Sequence, residues 1–438
     1  MIRHYLAFIL LFSSTLLCAQ QIDTAKLNAY FDTLAKHDKF MGSVAFSKKG
    51  QILYQKTIGF ADVAQAKKAT NESIYRVGSI SKTFTAVLVM KAIEEKRLRL
   101  EQSLETFFPN LPNASKITLA DLLGHRSGIA DFTDQADYLT WNTEPKSEKE
   151  MLAIITRGGS DFEPRSKTGY SNSNYVLLTY LLEKTYGKTF AFILQQKICK
   201  PIGLRSTYVG ATIDMQKQEV KSYSYNNGWQ LSSETDMSIP LGSGAIVSNT
   251  TDLLRFAHAL FNKQLISTES LALMQNMQEG IGLGLFAIPF EEKISYGHRG
   301  GIDKFTAVFS HFPKEDITFA LTANGSNYNG NEIPLTVLNA IFGKDFEVPN
   351  FTTYALEPTA LVQYIGTYSS TKLPFKISIS SNGQQLVAQA DGQSAMPFEA
   401  VSKDQFRFDK AGINLIFHPA EQTMLLKQGS GEFLFKKQ

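Results

Sequence analysis

The chain has 438 residues, room for about three domains at roughly 150 residues each, or for one larger domain with an appendage. At 43% hydrophobic and 19% charged residues, it is too apolar for disorder and too evenly mixed for a coiled coil. Lys+Arg 44 against Asp+Glu 41 leaves a net charge of +3 with no long basic run; this excludes a nucleic-acid footprint, and length excludes a small disulfide scaffold.

Residues 1–20, MIRHYLAFILLFSSTLLCAQ, read as a signal peptide. Arg3 and His4 form a basic start, residues 5–12 are apolar, and Cys18, Ala19 and Gln20 supply small or polar residues for cleavage. The apolar run is shorter than the roughly 20 residues of a spanning helix, so export, with the periplasm as destination, is expected without stable membrane insertion. Lipidation at Cys18 is disfavoured by the bulky Leu17 before it. Cys199 then stands alone in the mature chain and is expected to be a buried core thiol.

Leu27, Tyr30, Phe31 and Leu34 recur at helical spacing and predict an amphipathic opening helix. Residues 43–46 and 52–60, joined by Lys48-Lys49-Gly50, predict two strands and a turn. A long helix is expected over 79–97, with Phe84, Val87, Leu88, Met90 and Ile93 on its buried side. Residues 100–270 read as helical segments broken by Pro, Gly and Asn; short apolar runs with hairpin turns return over 281–324. Strands at both ends of a helical middle predict an α+β fold: one antiparallel sheet flanked by helices, with a helical subdomain. Beyond Glu347-Val348-Pro349-Asn350, strand-like segments alternating with Asn-Gly, Asp-Gly and Ala-Gly turns predict a small all-β C-terminal domain.

Three segments could carry chemistry. Ser79-Ile80-Ser81-Lys82 places a serine and a lysine three residues apart, on one helical face. The lysine can take the serine's proton if burial or a neighbouring cation lowers its pKa. Gly169-Tyr170-Ser171-Asn172 offers a phenol and an amide two residues apart; on an extended loop both would point the same way, Tyr170 at the serine–lysine pair and Asn172 at a substrate amide. Tyr296-Gly297-His298-Arg299-Gly300-Gly301 lies in the strand-rich part, where glycines allow another backbone to approach. Each segment alone has an ordinary structural use, as a helix cap, a packed tyrosine or a core histidine.

Together and in this order they resemble the serine β-lactamase and penicillin-binding-protein superfamily, in particular its class C β-lactamase-like branch, over roughly residues 25–345. Leu122-Leu123-Gly124-His125-Arg126-Ser127-Gly128-Ile129, Gly242-Ser243-Gly244 and Gly282-Leu283-Gly284 resemble the same branch. The resemblance implies Ser79 as the acylated nucleophile and Lys82, working with Tyr170, as its base. Tyr170 would pass a proton to the leaving group and help activate the deacylating water. Asn172 would bind the acyl-side amide, and His298 would replace the third-motif lysine. The N–H groups of Ser79 and Gly301 would form the oxyanion hole. Arg299 departs from the small or hydroxyl residue usual there; it either clamps a substrate carboxylate or turns to the surface.

The organisation expected is therefore a signal peptide (1–20), a β-lactamase-like serine hydrolase domain (21–348) and a β-rich domain (356–438). β-Lactams, small esters and D-amino-acid peptides stay open as substrates, and so does oligomeric state. A GxSxG elbow and HExxH are absent, no histidine pair has metal spacing, and Gly280, Gly282 and Gly284 lack a dinucleotide context, so neither metal nor cofactor is expected. The alternative is a non-catalytic cell-wall peptide-binding or sensor protein with a retained pocket. Tyr138 and Trp141 are candidates for the pocket rim.

Overall fold

The computed structural model describes residues 22–429 and 431–438; the expected signal peptide, 1–20, lies outside them. Helix α1 (Thr24–Lys36) is capped by Asp23, whose carboxylate accepts from Lys26 N at 2.8 Å, and it buries Leu27, Tyr30, Phe31 and Leu34. Strands β1 (Phe40–Lys48) and β2 (Gln51–Ile58) form the hairpin that follows. The helical middle contains α2 (Ser81–Glu94), α3 (Asn172–Tyr186) and α4 (Thr250–Phe261). Strands β3 (Phe286–Phe290), β4 (Lys293–Ile302), β5 (Phe305–Phe312) and β6 (Ile317–Ser326) lead to helix α5 (Glu332–Ile341).

The strands assemble as β3-β4-β5-β6-β1-β2, so the first hairpin joins the last strands in one antiparallel run; residues 223–225 pair in parallel with β6 and, with residues 229–231, extend the sheet to eight strands. Alternation along the strands sends residues to opposite faces. Val44, Phe46, Phe312, Phe319 and Leu321 pack against α1 and α5, while Ala45, Ala307, Phe309 and Ala320 face the helical middle. The small side chains on that inner face let α4 approach; Phe256 meets Phe309 edge-on at 6.2 Å and stacks on Phe84 of α2. Helix α2 is buried on nearly every side, as an all-round apolar helix must be, and its internal threonines find carbonyls at Gly284 and Gly242.

The long helix is shorter than the 79–97 expected. Gly78–Ile80 form a separate 3-10 turn ahead of α2, and left-handed Lys96 (φ 59°) lies just past its end. Cys199 is fully buried, against Thr207 O at 3.4 Å, and burial pushes its thiol up to about 12.

The C-terminal segment closes into an eight-stranded barrel of β7 (Gly366–Ser369), β8 (Lys376–Ser381), β9 (Leu386–Ala390), β10 (Met396–Ser402), β11 (Gln405–Phe408), β12 (Ile413–His418), β13 (Thr423–Gln428) and β14 (Gly431–Lys437). Tyr364, Phe398, Phe406, Phe417 and Phe435 fill its interior, so it is a packed core. Among the described residues, no helix is long and apolar enough to cross a membrane.

Candidate active site

Ser79 sits in the 3-10 turn that enters α2, between the sheet and the helical middle. Strand β4 passes beside it at very short range. A side chain at Gly300 would place its Cβ 1.9 Å from Val77 O and 3.0 Å from Ser79 N. Glycine is required there because two backbones nearly touch. This contact brings the Ser79 turn to the free edge of β4 beyond Gly297, where pairing with β3 ends.

Lys82, one turn along α2, has its Nζ 3.0 Å from Ser79 Oγ. The same nitrogen donates to Asn172 Oδ1 at 2.7 Å and to Ser243 O at 2.8 Å. Lys82 is fully buried, and loss of water pulls its ammonium from 10.5 down to about 7, against the pull of the nearby Asp131 carboxylate. A neutral amine has two hydrogens and one lone pair. With both hydrogens on Asn172 and Ser243, the lone pair is left for the Ser79 hydroxyl.

Asn172 is held from behind. Its N and Nδ2 donate to Asp131 Oδ2 at 3.0 and 2.8 Å, which turns its Oδ1 toward Lys82. Tyr170 and Asn172 do not share an extended loop as the spacing suggested. Asn172 is the first residue of α3, and Ser171 is its extended N-cap, so Tyr170 lies before the helix and Asn172 within it. Tyr170 leaves 39% of its surface open and lines the cavity with Ser79 and His298. Its ring stacks on His125 at 4.3 Å and lies 4.9 Å from Lys82 Nζ. Crowding by protein raises the phenol pKa, with Ser79 opposing in part.

His125, Asp131 and Ser243 were not assigned roles from sequence. His125 lies behind Tyr170, and its Nδ1 accepts from Ser171 N at 3.1 Å. Burial holds its pKa well below the ordinary histidine range, so the ring is neutral. The GHRSG pattern was the signal for it, but only the fold shows what it touches.

His298 on β4 is buried, and desolvation together with the Lys82 charge pulls it down to about 3. Its Nδ1 contacts the Arg299 carbonyl; this places the proton on Nδ1 and leaves Nε2 as an acceptor. Arg299 points to the exposed rim, where its Nη1 donates to Asn331 Oδ1 at 3.3 Å. Gly301 is exposed at the edge of β4 beside Ser79.

Two cavities meet at Ser79. One, of about 460 Å³, runs past Tyr170 between Phe286, Ile288, Pro289 and Arg299. The other, of about 690 Å³, runs past Asn172 and Gly301 toward Tyr225 and Lys304. Tyr138 lines the second, while Trp141 packs behind it at 5.2 Å. Among the described residues, no group of three or more His, Cys, Asp or Glu side chains is placed to hold a metal ion.

The beta-lactamase family model matches residues 27–342. Penicillin-binding protein 4* of Bacillus subtilis (strain 168) is 24% identical over 445 residues, covering 93% of this chain and 97% of that protein. Teichoic acid D-alanine hydrolase of Staphylococcus aureus is 23% identical over 303 residues, 68% of this chain and 74% of that protein. The structure of D-amino acid amidase from Ochrobactrum anthropi SV3, complexed with D-phenylalanine, is similar in fold with a TM-score of 0.64. It is 23% identical and covers 73% of this chain and 99% of its own.

Proposed function

Because the chain belongs to the beta-lactamase family, we propose that it is an exported, periplasmic serine hydrolase of the class C β-lactamase-like type, which works through an acyl-enzyme at Ser79. The observation that carries this reading is the buried Lys82 amine, near neutrality in pKa and 3.0 Å from Ser79 Oγ.

Ser79 Oγ attacks the substrate carbonyl while its proton passes to the Lys82 lone pair. The N–H groups of Ser79 and Gly301 receive the developing oxyanion; one such donor is typically worth about 10²–10³ in turnover. Collapse of the tetrahedral intermediate breaks the bond to the leaving group, which takes a proton relayed from Lys82 through Tyr170. The raised phenol pKa suits Tyr170 to this relay as a protonated acid and leaves the base role to Lys82. Water then attacks the acyl carbon, gives its proton back through the same pair, and frees Ser79. Neutral His298 supplies an acceptor at Nε2 where a cation is usual, and Asn172, fixed by Asp131, borders the acyl-side cavity.

For the substrate, we propose a D-aminoacyl amide or ester. A D-alanine hydrolase and a D-amino acid amidase among the similar proteins support that class. The test is turnover of D-alanyl and L-alanyl p-nitroanilides and phenyl esters by the mature protein. Preference for the D-forms, lost in Ser79→Ala, is the expected result; equal or exclusive L-turnover would reject the substrate class.

A further inference from the structure

The larger cavity is walled by both domains. It begins at Ser79 and Asn172, and its lining includes Lys304, in the turn after β4, and Lys410, from the C-terminal barrel. Lys410 belongs to the Asp409–Ala411 turn that links β11 to β12. That turn is fixed against the sheet domain. Asp409 Oδ2 lies 2.7 Å from Lys39 Nζ, with both side chains largely buried, and Asp409 Oδ1 lies 3.2 Å from Arg407 Nε. Gly412, just beyond, sits against the Asn329 side chain. The barrel therefore presents Lys410 to the cavity from a tethered position.

The charges in this cavity are one-sided. Asp303 is the one carboxylate among its lining residues, and it pairs at 2.7 Å with Arg76, which also holds Glu234 at 3.0 Å. Lys304 and Lys410 are exposed and form no ion pair among the described residues. Ser224, Ser233 and Thr306 add hydroxyl groups to the same lining. An anionic group entering here meets two ammonium groups and hydroxyl groups, and the one lining carboxylate is tied to Arg76.

We propose that Lys304 and Lys410 form an anion subsite at the far end of the acyl-side cavity, selecting an acyl chain that bears a carboxylate. The barrel is thus part of the substrate site. This inference rests on the acyl-side assignment above for its place in the reaction, but the binding it describes does not need turnover.

The test uses two ligands, Gly-Gly-D-alanine anilide capped by succinyl, which ends in a carboxylate, or by the neutral succinamoyl group. Affinity is measured in the full-length Ser79→Ala protein, where hydrolysis cannot interfere. Exposed pairs of this kind contribute modestly, so the succinyl ligand should bind about three- to tenfold more tightly at low salt. Added Lys410→Gln should remove part of that preference, and Lys304→Gln with Lys410→Gln should remove all of it. Raising the salt should shrink the preference in the parent protein. Equal affinity for the two ligands, or a preference that survives in the double variant, would overturn the subsite. Failure of the Ser79-intact protein to hydrolyse either anilide would count against the hydrolase reading alone, because the affinity comparison stands without it.

Discussion

Replacing Asp131 by Asn removes the carboxylate that supports the Lys82 ammonium, while keeping a side-chain oxygen that can accept from Asn172. Asp131 and Lys82 are separated by one amide group, since Asn172 donates to the first and accepts from the second. Two charges at that spacing attract by on the order of 1–3 kcal/mol at an effective dielectric of about 20 or higher. One pKa unit is about 1.4 kcal/mol, so the acid limb set by Lys82 should move down by about one unit. In the parent protein, with Lys82 at about 7, roughly a tenth of the amine is neutral at pH 6; in Asp131→Asn roughly half would be. Asp131 Oδ1 also accepts from Thr133 N and Oγ1, so the variant should lose about 1–3 kcal/mol of stability. The assay is the second-order rate of Ser79 phosphonylation by a fluorophosphonate between pH 5 and 9. His298 and His125 titrate well below neutrality, so neither obscures the limb. A limb that stays in place or moves up, in a protein with a normal melting transition, would refute Lys82 as the titrating base.

Gly300→Ala should cut turnover by about 10²–10³, because its Cβ can fit only if β4 moves off the Ser79 turn and displaces the Gly301 N–H; steady-state kinetics with an intact far-UV spectrum checks this. Stability should carry the signature of Lys82 as well. Its folded pKa lies below its unfolded value, so between about pH 7 and 10 the unfolded chain binds a proton that the folded chain does not, and stability rises with pH. From pH 7.5 to 9 the rise should be about 1–2 kcal/mol in urea titrations, and Lys82→Met should flatten it; an equal slope in both proteins would show that the lysine keeps an ordinary pKa.

Much of the architecture was legible because it is written in local pattern. Leu27, Tyr30, Phe31 and Leu34 mark one helix face, and the alternation of Ile377 with Ile379 or Leu386 with Ala388 marks barrel strands. The Ser79–Lys82 contact was legible for the same reason, since three residues on a helix fix a distance. What sequence spacing could not reveal are the partners that arrive from far along the chain. Ser243 is 161 residues from Lys82, and Asp131 is 41 residues from the Asn172 it holds. Asn172 itself was misplaced on an extended loop, because the helix start at that point follows from Ser171 adopting an extended backbone ahead of it. Nothing in the sequence marks Lys410; only the docking of the barrel through Asp409 and Lys39 brings it to the cavity.

The central claim is that Ser79 is the nucleophile that carries the covalent intermediate, and intact mass shows whether it is modified. The mature protein is exposed to a fluorophosphonate and, separately, to a penicillin, with Ser79→Ala alongside. The account predicts one covalent fluorophosphonate adduct on the parent protein, mapped to the peptide containing Ser79 and absent from the variant. A penicillin adduct that depends on Ser79 would extend the substrate range to β-lactams. No adduct from either reagent, or an equal fluorophosphonate adduct on Ser79→Ala, would contradict it.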